Sequence, residues 1–434
     1  MRALVLFITY YSLAGYSLLS PVVGVLFFVH IMIFRPENLV WESPMFGRLH
    51  LITALCAAIG CLSHRDASWP RANHQRRNLM LFAIFIGWLW CVSFTAAVSS
   101  GTSAERALDL TKIFLFCVLF AAVVTSPSRI RLYVLVASGS FGLLGLWGIL
   151  QGMAGNPRLD SLWVGGSNYL AVGLALMIPF TLAAVLDPGF SRARRVGLAL
   201  SILAMTLCLF YTASRGGLFA LVVGLLSLVV LAQKKGRLIV GLLAMTLIVY
   251  PMVPSDQAKR ISPLIQDADT VDLSAESRPV LWRLAVRMWQ DHPVFGVGLG
   301  NFGLAIDAYS NKAGDLVKSE EMAELIFGRG RQPHGTYTGM LAETGLIGVG
   351  LLVLLLWRNA LCRVAPAAGD LVLLGRGAQA GILGFAVGAA FGDYQYIDVL
   401  YWQLFVVGTI VAVGDAANGA GRDASEKAVS TTPA

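Results

Sequence analysis

The fold of this chain is decided by the stretch Arg331-Gln-Pro-His334-Gly-Thr-Tyr-Thr-Gly-Met-Leu-Ala-Glu343-Thr-Gly-Leu-Ile-Gly348. A polar, cationic run ends at His334, and a long apolar run begins directly after it. About 20 predominantly apolar residues are enough for a helix that crosses a bilayer. The stretch therefore predicts that His334 lies where a membrane-spanning helix meets water, and that the other spans form a scaffold around it.

The composition of the whole chain agrees with this interpretation. Of its 434 residues, 56% are hydrophobic and only 13% are charged, whereas soluble domains carry about 25% charged residues. An all-α polytopic membrane protein follows. The formal net charge of +8 does not indicate nucleic-acid binding, because most basic residues lie in short loops between apolar runs. The six cysteines show neither a disulfide framework nor metal-ligand spacing, and no motif for a metal or other cofactor is found in the sequence.

The apolar runs on both sides of the opening stretch predict about twelve membrane-spanning segments in all. Residues 3–34 are treated as one broken or re-entrant unit, although two short spans also fit. The other apolar runs lie at residues 49–63, 79–98, 107–125, 131–152, 168–186, 195–213, 216–233, 236–253, 335–357, 373–391 and 396–414. Each run is long enough, or nearly so, to cross about 30 Å of hydrocarbon as a helix.

The charges of the loops set the orientation. Basic loops, such as residues 65–77 and 192–195, alternate with loops that are poor in Lys and Arg, and basic loops face the cytoplasm. The predicted organisation is a transmembrane bundle over residues 1–253, a large extracytoplasmic loop over 254–334, C-terminal transmembrane helices over 335–414 and a disordered cytoplasmic tail over 415–434.

The large loop is predicted to contain helical structure. Apolar residues recur at helical spacing within residues 276–292, at Val280, Leu281, Leu284, Ala285, Met288 and Trp289. Pro279 is a favourable residue for the first turn of a helix. The pattern indicates an amphipathic helix that packs on the bundle or lies at the interface. A glycine-rich turn is expected directly after it, over residues 293–302.

Three cationic residues are expected near the outer membrane boundary, namely Arg215, Arg278 and His334. Each has a simpler interpretation, as an interfacial anchor, a surface helix charge or a satisfied interfacial histidine. However, Arg215 is flanked by Ser214 and two glycines, which leaves its guanidinium unobstructed for an anion. Two guanidiniums and an imidazole near one surface suggest a pyrophosphate clamp beside a base.

Three further patterns are given little weight. Asp267 and Asp269 have the spacing of a metal–nucleotide acidic pair, but a solvated acidic turn explains them better in an extracytoplasmic loop. Glycines 296, 298 and 300 have the wrong spacing for a dinucleotide-binding loop and no βαβ context. Asp109 and Lys112 stand three residues apart on an outer helix end, where an ion pair is the simplest interpretation, with a minor contribution to substrate binding as the alternative.

Taken together, the motifs resemble the O-antigen ligase and polymerase superfamily over residues 165–355. They are Ser214-Arg-Gly-Gly217, then Arg278-x-x-x-Trp282 followed by Asp291-His-Pro-x-Phe-Gly-Val-Gly-x-Gly300-Asn-Phe, and finally Pro333-His334 with Glu343-x-Gly345-Leu-Ile-Gly348. The N-terminal region, with Phe34-Arg-Pro-Glu37, is similar to exosortase-associated O-glycosylation ligases. The usual family form has Asn after the histidine, whereas this chain has Gly335, and this departure bears on acceptor preference.

The resemblance implies a GT-C-type, metal-independent glycosyltransferase of the bacterial inner membrane with a periplasmic active site. The donor would be a glycan on undecaprenyl pyrophosphate, and the acceptor a sugar hydroxyl of the lipid A core. The family's arginines correspond to Arg215 and Arg278, which would hold the pyrophosphate, and its histidine to His334, the catalytic residue. Further candidates for lining the site are Ser214, Asn168, Asn301 and Glu343.

Two related activities stay open at this stage, since they use the same lipid-linked donor. They are O-antigen polymerisation, which joins repeat units, and protein O-glycosylation, which uses a Ser or Thr hydroxyl. A transporter is disfavoured, because the charged residues concentrate at one boundary and no internal repeat is visible.

Overall fold

The computed structural model describes residues 2–36, 48–63, 73–156, 159, 165–232, 235–253, 273–312, 317, 319–327 and 331–430. Within these ranges the protein is helical and has no strand, as expected. The N-terminal helices are α1 (Arg2–Tyr16), α2 (Pro21–Phe34), α3 (Leu49–Ser63), α4 (Asn73–Thr95), α5 (Ser100–Val123), α6 (Pro127–Met153), α7 (Ser167–Leu186), α8 (Arg192–Tyr211), α9 (Arg215–Leu231) and α10 (Lys235–Val249). The remaining helices are α11 (Leu273–Asp291), α12 (Phe302–Ala305), α13 (Glu320–Ile326), α14 (Thr336–Ala360), α15 (Leu371–Gly388) and α16 (Asp398–Ser430).

Eight helices in the described part are long and apolar enough to cross a membrane: α4, α6, α7, α8, α10 with the turn that follows it, α14, α15 with its final turn, and α16 up to Asn418. Shorter apolar helices are formed by Val5–Tyr16, Pro21–Phe34, Leu49–Ser63 and Arg215–Leu231. Helix α5 covers another predicted span, but it carries four charged residues between Glu105 and Lys112. The total of twelve spans therefore stays a prediction.

The N-terminal unit over residues 3–34 consists of two helices. Helix α1 ends at Tyr16, and α2 begins at Pro21 after a short turn. Proline is favoured at the first position of a helix, because it has no N–H to leave unsatisfied there. Tyr10 on α1 and His30 on α2 hydrogen-bond to each other at 3.0 Å, which joins the two helices. Each helix is only about 20 Å long at 1.5 Å per residue.

The centre of the bundle is α7, which is buried along almost its whole length. Glycines allow its neighbours α9 and α15 to approach closely. A Cβ at Gly217 of α9 would collide with the Cβ of Ala171, and a Cβ at Gly384 of α15 would collide with the carbonyl oxygen of Ala220. Small residues at such contacts bring helix backbones together in membranes. This tight α7–α9–α15 unit fixes the position of the helix that begins with Arg215.

Loops that were predicted to lie on one side of the membrane contact each other. Arg131 donates to the carboxylate of Asp187 at 2.9 Å and lies 3.7 Å from Asp370, so three predicted cytoplasmic connections meet at one end of the bundle. At the other end, the hydroxyl of Ser103 donates to Leu299 O at 3.0 Å, and Asn301 Nδ2 donates to Ser99 O at 3.1 Å. We call this second end the loop end.

Helix α14 is broken at Gly345, whose φ of 69° and ψ of −173° are not helical. The turn formed by residues 293–300 packs into the break. Val297 N donates to Ala342 O at 2.9 Å, and Gly298 N donates to Glu343 O at 3.1 Å. Trp88 Nε1 donates to Thr344 O at 3.0 Å. The break would leave carbonyl groups of α14 without hydrogen-bond donors. The turn at residues 293–300 and the indole of Trp88 supply these donors.

Helix α11 forms the predicted amphipathic helix, and its apolar face is buried. Val280, Leu281, Leu284, Ala285 and Met288 belong to a second apolar cluster that is distinct from the core of the bundle. This cluster also includes Phe302, Ile326 and, from α14, Ala342. The expected glycine-rich turn is present as well, with positive φ at Gly296, Gly298 and Gly300. Segment 273–327 therefore has its own small core on the outer half of α14.

The C-terminal region differs from the expectation of a disordered tail over 415–434. Helix α16 continues to Ser430, and five alanines between residues 416 and 428 favour helix there. Other predictions fall on residues outside the described ranges. They include the acidic turn at Asp267 and Asp269, and most of the basic loop between α3 and α4.

Candidate functional site

His334 lies at the loop end, two residues before α14 begins. Its backbone has a φ of 51°, in the left-handed region that non-glycine residues seldom occupy. The side chain is half-buried between neighbouring loops. Burial lowers the pKa of His334, and the charges of Arg278 and Arg331 lower it further. The imidazole is therefore neutral near pH 7 and has a free nitrogen lone pair that can accept a proton.

Asp393 holds the backbone of His334 in this conformation. Asp393 Oδ2 accepts a hydrogen bond from His334 N at 3.0 Å. Burial raises the pKa of Asp393 to about 7, against the opposing effect of N–H groups donated by Gly335 and His334. The loop that carries Asp393 is in turn fixed by Thr336, whose hydroxyl donates to Gly392 O at 2.6 Å and accepts from Tyr394 N at 2.8 Å. A strained backbone that persists because its surroundings hold it is typical of functional sites.

Arg278 reaches this region from the first half of α11. It is half-buried, and its Nε is buried without a hydrogen-bond partner among the described residues. Arg278 lies close enough to His334 to lower the pKa of that imidazole. One turn further along α11, the indole of Trp282 packs against Gly335. A Cβ at residue 335 would lie 3.1 Å from Trp282 Nε1 and 2.6 Å from Thr338 Oγ1. Gly335, where the family usually has Asn, is thus a position at which the Trp282 indole leaves little room for a side chain.

Arg215 is the first residue of α9, and its side chain is exposed at the loop end. Ser214 caps the helix, since its hydroxyl accepts from Gly217 N at 3.2 Å. Gly216 faces Phe391, where an added Cβ would be 3.4 Å from that side chain. Residues 391–393 therefore link the start of α9 to the loop of His334. Ser214 is buried and has a capping contact rather than an evident role in lining a site.

Glu343 and Asn301 are occupied by contacts within the fold. Glu343 Oε1 accepts from Phe302 N at 3.1 Å, beneath the glycine-rich turn. The side chain of Asn301 is fully buried, and its amide donates to Ser99 O and Val297 O, each at 3.1 Å. Asn168 lies in the first turn of α7 and is half-buried. The next residue, Tyr169, donates its hydroxyl to Asp393 O, which ties α7 to the loop of His334.

A cavity of about 710 Å³ opens beside this loop, among α2, α5, residues 300–304 and residues 331–333. Arg106 and Asp393 both line it. The Arg106 guanidinium lies 5.6 Å from the centre of the Tyr396 ring, and its Nη1 is 3.9 Å from Asp109. The predicted ion pair between Lys112 and Asp109 is present at 3.0 Å. The cavity places further cationic groups next to the loop of His334.

Sequence reasoning did not identify Asp393, Arg106 or Tyr169. A weak signal existed for Asp393, because residues 392–398 form a short acidic loop between two apolar runs. For Arg106 the available signal was its spacing of three residues from Asp109, but we paired Asp109 with Lys112 instead. Tyr169 had none, since an aromatic residue near a helix start is common at membrane interfaces.

The arrangement favours chemistry on an anionic substrate. The neutral imidazole of His334 lies near the half-buried guanidinium of Arg278. Arg215, whose side chain is exposed, begins the helix that meets residues 391–393 at the same end of the bundle. Guanidinium groups suit phosphate oxygens because several N–H donors share one plane. Within the described residues, no group of three or more His, Cys, Asp or Glu side chains is placed to hold a metal ion.

One comparison with known proteins bears on this site. Residues 200–353 match the family model described as O-antigen ligase, which supports membership of that superfamily, as the motifs predicted. The matched segment runs from the middle of α8 through α9, α11 and the glycine-rich turn into α14, and it contains Arg215, Arg278 and His334. No curated protein matches the chain.

Proposed function

We propose that this protein is a glycosyltransferase of the bacterial inner membrane, because residues 200–353 match the family model described as O-antigen ligase. It transfers a glycan from undecaprenyl pyrophosphate to a sugar hydroxyl of the lipid A core. The reaction takes place at the loop end, which faces the periplasm in the orientation derived from the basic loops. Membrane lipids surround the bundle, and neither nucleic acid nor a cofactor takes part.

The observation that carries this proposal is the pair formed by His334 and Arg278. The pKa of His334, the proposed proton acceptor, is lowered by burial and by the charge of Arg278. The guanidinium of Arg278 is itself well suited to bind phosphate. A neutral base can take the proton of the acceptor hydroxyl, and a cation can stabilise the charge on the leaving pyrophosphate. Asp393 holds the backbone of the base through His334 N.

In the proposed step, the acceptor hydroxyl oxygen attacks the anomeric carbon of the donor glycan. The bond from that carbon to the pyrophosphate oxygen breaks, and the bonding electrons leave with undecaprenyl pyrophosphate. His334 takes the hydroxyl proton, or at least orients the hydroxyl, and Arg215 and Arg278 stabilise the charge that develops on the leaving group. A single displacement inverts the anomeric configuration. Because pyrophosphate is a good leaving group, no metal ion is needed.

The test is transfer by the purified protein, in EDTA, from undecaprenyl-pyrophosphate glycan to rough lipopolysaccharide. Wild type is expected to form product and His334→Ala to lose roughly 100-fold or more in rate, as expected for a removed acid–base group. His292→Ala is the matched control, since His292 lies in the same outer segment, directly after α11, and we expect it to keep wild-type activity. Equal product from wild type and His334→Ala would refute the assignment of His334.

Two further acceptors complete the experiment. Elongation of the lipid-linked glycan without rough lipopolysaccharide would identify a polymerase. Transfer to a Ser- and Thr-containing peptide would identify a protein O-oligosaccharyltransferase. Either result without transfer to rough lipopolysaccharide would overturn the choice of lipid A core as acceptor and would leave the donor site as proposed.

A further inference from the structure

Two corners at the end of the bundle opposite the loop end hold arginines in different ways. In the first, Arg131 is neutralised by acids, because it donates to the carboxylate of Asp187 at 2.9 Å and lies 3.7 Å from Asp370. In the second, where α4 begins and α14 ends, Arg358 donates from Nε to the side-chain oxygen of Asn78 at 2.9 Å. A neutral amide orients a guanidinium but leaves its positive charge without a counter-charge. We call the second corner the amide corner.

The amide corner is built on two fully buried asparagines, Asn78 of α4 and Asn359 of α14. Asn78 Nδ2 donates to Asn359 Oδ1 at 2.7 Å, and His74 Nε2 lies 3.2 Å from the same oxygen. Arg358 Nη2 lies 3.4 Å from both the carbonyl oxygen and the Nδ1 atom of His74. Its Nη1 atom has no hydrogen-bond partner among the described residues. The buried amides therefore fix a half-buried guanidinium that still has N–H groups to donate.

Arg77 adds a second positive charge to this corner. It lies close enough to Arg358 for the two charges to act on each other, and its side chain is exposed. The charge of Asp415, on α16, reaches His74. However, within the described part of the chain no carboxylate forms a salt bridge with Arg77 or Arg358. Two guanidiniums that repel each other are both stabilised by an anion that contacts them together. Phosphate oxygens suit this role, because the N–H groups of a guanidinium lie in one plane.

Apolar side chains run from the two arginines toward the middle of the membrane. On α4, Met80 and Ile84 follow Arg77 on the same face of the helix and are 60% and 51% exposed. On α14, Leu354 lies one turn before Arg358 and is 53% exposed. Helices α4 and α14 pack against each other. From Arg77 to Ile84 the apolar surface extends about 10 Å along the helix. A ligand that bridges the two arginines can therefore place hydrocarbon chains on both helices.

From these contacts we propose that the amide corner binds an anionic phospholipid of the cytoplasmic leaflet. Its phosphate accepts hydrogen bonds from Arg77 and Arg358. Its acyl chains lie along Met80, Ile84 and Leu354. Basic pockets between membrane-spanning helices on the cytoplasmic side suit such head groups. A free phosphate would leave the apolar surface unused, and a zwitterionic lipid would bring a further positive charge to the two arginines. The bound lipid joins the start of α4 to the end of α14, remote from the loop end.

The test is native mass spectrometry of the purified protein in detergent, with phosphatidylglycerol and phosphatidylcholine added at equal concentrations. Wild type is expected to retain one phosphatidylglycerol in preference to phosphatidylcholine. Arg77→Gln, at an exposed position, should weaken the retention of phosphatidylglycerol by about tenfold, as expected for the loss of one charge-assisted contact to phosphate. The matched control is Arg76→Gln, the same change of charge at an exposed neighbour that lies about 100° further round α4. This control should bind as wild type does.

Four results would each overturn the proposal. Equal retention of the two lipids by wild type would show that the corner does not select an anionic head group. Undiminished retention by Arg77→Gln would remove the pair of arginines from the site. An equal loss in Arg76→Gln would show a general attraction of the lipid to basic residues. Displacement of the lipid by inorganic phosphate at the same concentration would show a site for a free anion. Because no glycan is transferred in this assay, its outcome is independent of the proposed function.

Discussion

Replacement of Gly345 by alanine tests the central feature of the fold, the break in α14. Gly345 has a φ of 69° and a ψ of −173°, a conformation that is essentially limited to glycine. A Cβ at this position would also collide with the carbonyl oxygen of Val294 and would lie 2.8 Å from that of Pro293. Both atoms belong to the backbone of the turn that packs into the break, so the collision can be relieved only by moving that turn.

The magnitude follows from two contributions. A non-glycine residue in this region of φ and ψ costs about 1–3 kcal/mol. Displacement of the turn also weakens the bonds from Val297 N to Ala342 O and from Gly298 N to Glu343 O, each worth about 0.5–1.5 kcal/mol net. We expect the packed state to lose roughly 2–4 kcal/mol, which corresponds to a roughly 30- to 1,000-fold larger population of the displaced turn.

Amide hydrogen exchange of the protein in nanodiscs measures this population. In Gly345→Ala, the amides of Val297 and Gly298 should lose about 30-fold or more of their protection. Transfer activity should fall in parallel, because α11, which carries Arg278, ends directly before the turn. The control is Gly350→Ala in the same helix, where an added Cβ meets nothing within 4 Å. There alanine favours the helix, and exchange at residues 297 and 298 should be unchanged.

The reasoning would be refuted if Gly345→Ala kept wild-type protection at Val297 and Gly298. Loss of protection along α4 and α7 as well would show that the variant unfolds the whole bundle, which would contradict a local effect. Equal losses in Gly350→Ala would mean that the helix responds to any added methyl group and not to the break.

Three further predictions concern the site and its support. Burial raises the pKa of Asp393 from 3.8 to about 7, so the folded state binds this proton more tightly than the unfolded state does. The free energy of unfolding therefore falls as the pH rises from about 4 to about 7. The melting temperature of Asp393→Asn should depend less on pH between 5 and 8 than that of wild type. The charge of Arg331 helps to lower the pKa of His334, so Arg331→Gln should move the acidic limb of the kcat/KM profile to higher pH, and an unmoved limb would argue against His334 as the titrating base. Gly217→Ala should destabilise the bundle by about 1–3 kcal/mol through overpacking, with part of the loss in melting temperature recovered when Ala171→Gly is added, since the two Cβ atoms collide.

The apolar runs and their spacing were sufficient to predict most helices, because membrane-spanning length and helical periodicity are local properties of the chain. Helix α11 is an example, since Val280, Leu284 and Met288 are all buried as their spacing predicted. The tail beyond residue 414 was predicted to be disordered because its residues are polar and small, whereas α16 continues to Ser430.

The arrangement around His334 could be predicted only in part. Its position at the start of a helix was visible in the sequence, but its partner Asp393 lies 59 residues away, in a loop without periodicity. Such a contact depends on how α14, α15 and α16 pack, which no local pattern reports. Similarly, Arg106 belongs to a charge pattern typical of a solvated helix end. Its place in the cavity depends on α2, which packs against the same face.

The break at Gly345 also constrains the order in which the protein is assembled in its membrane. Until residues 293–300 are in place, the carbonyl groups of Ala342 and Glu343 lack their donors in a hydrocarbon environment that provides none. Helix α14 can therefore reach its final backbone conformation only after the preceding segment has packed against it. During biogenesis, the outer segment thus acts as an internal template for the helix that follows it.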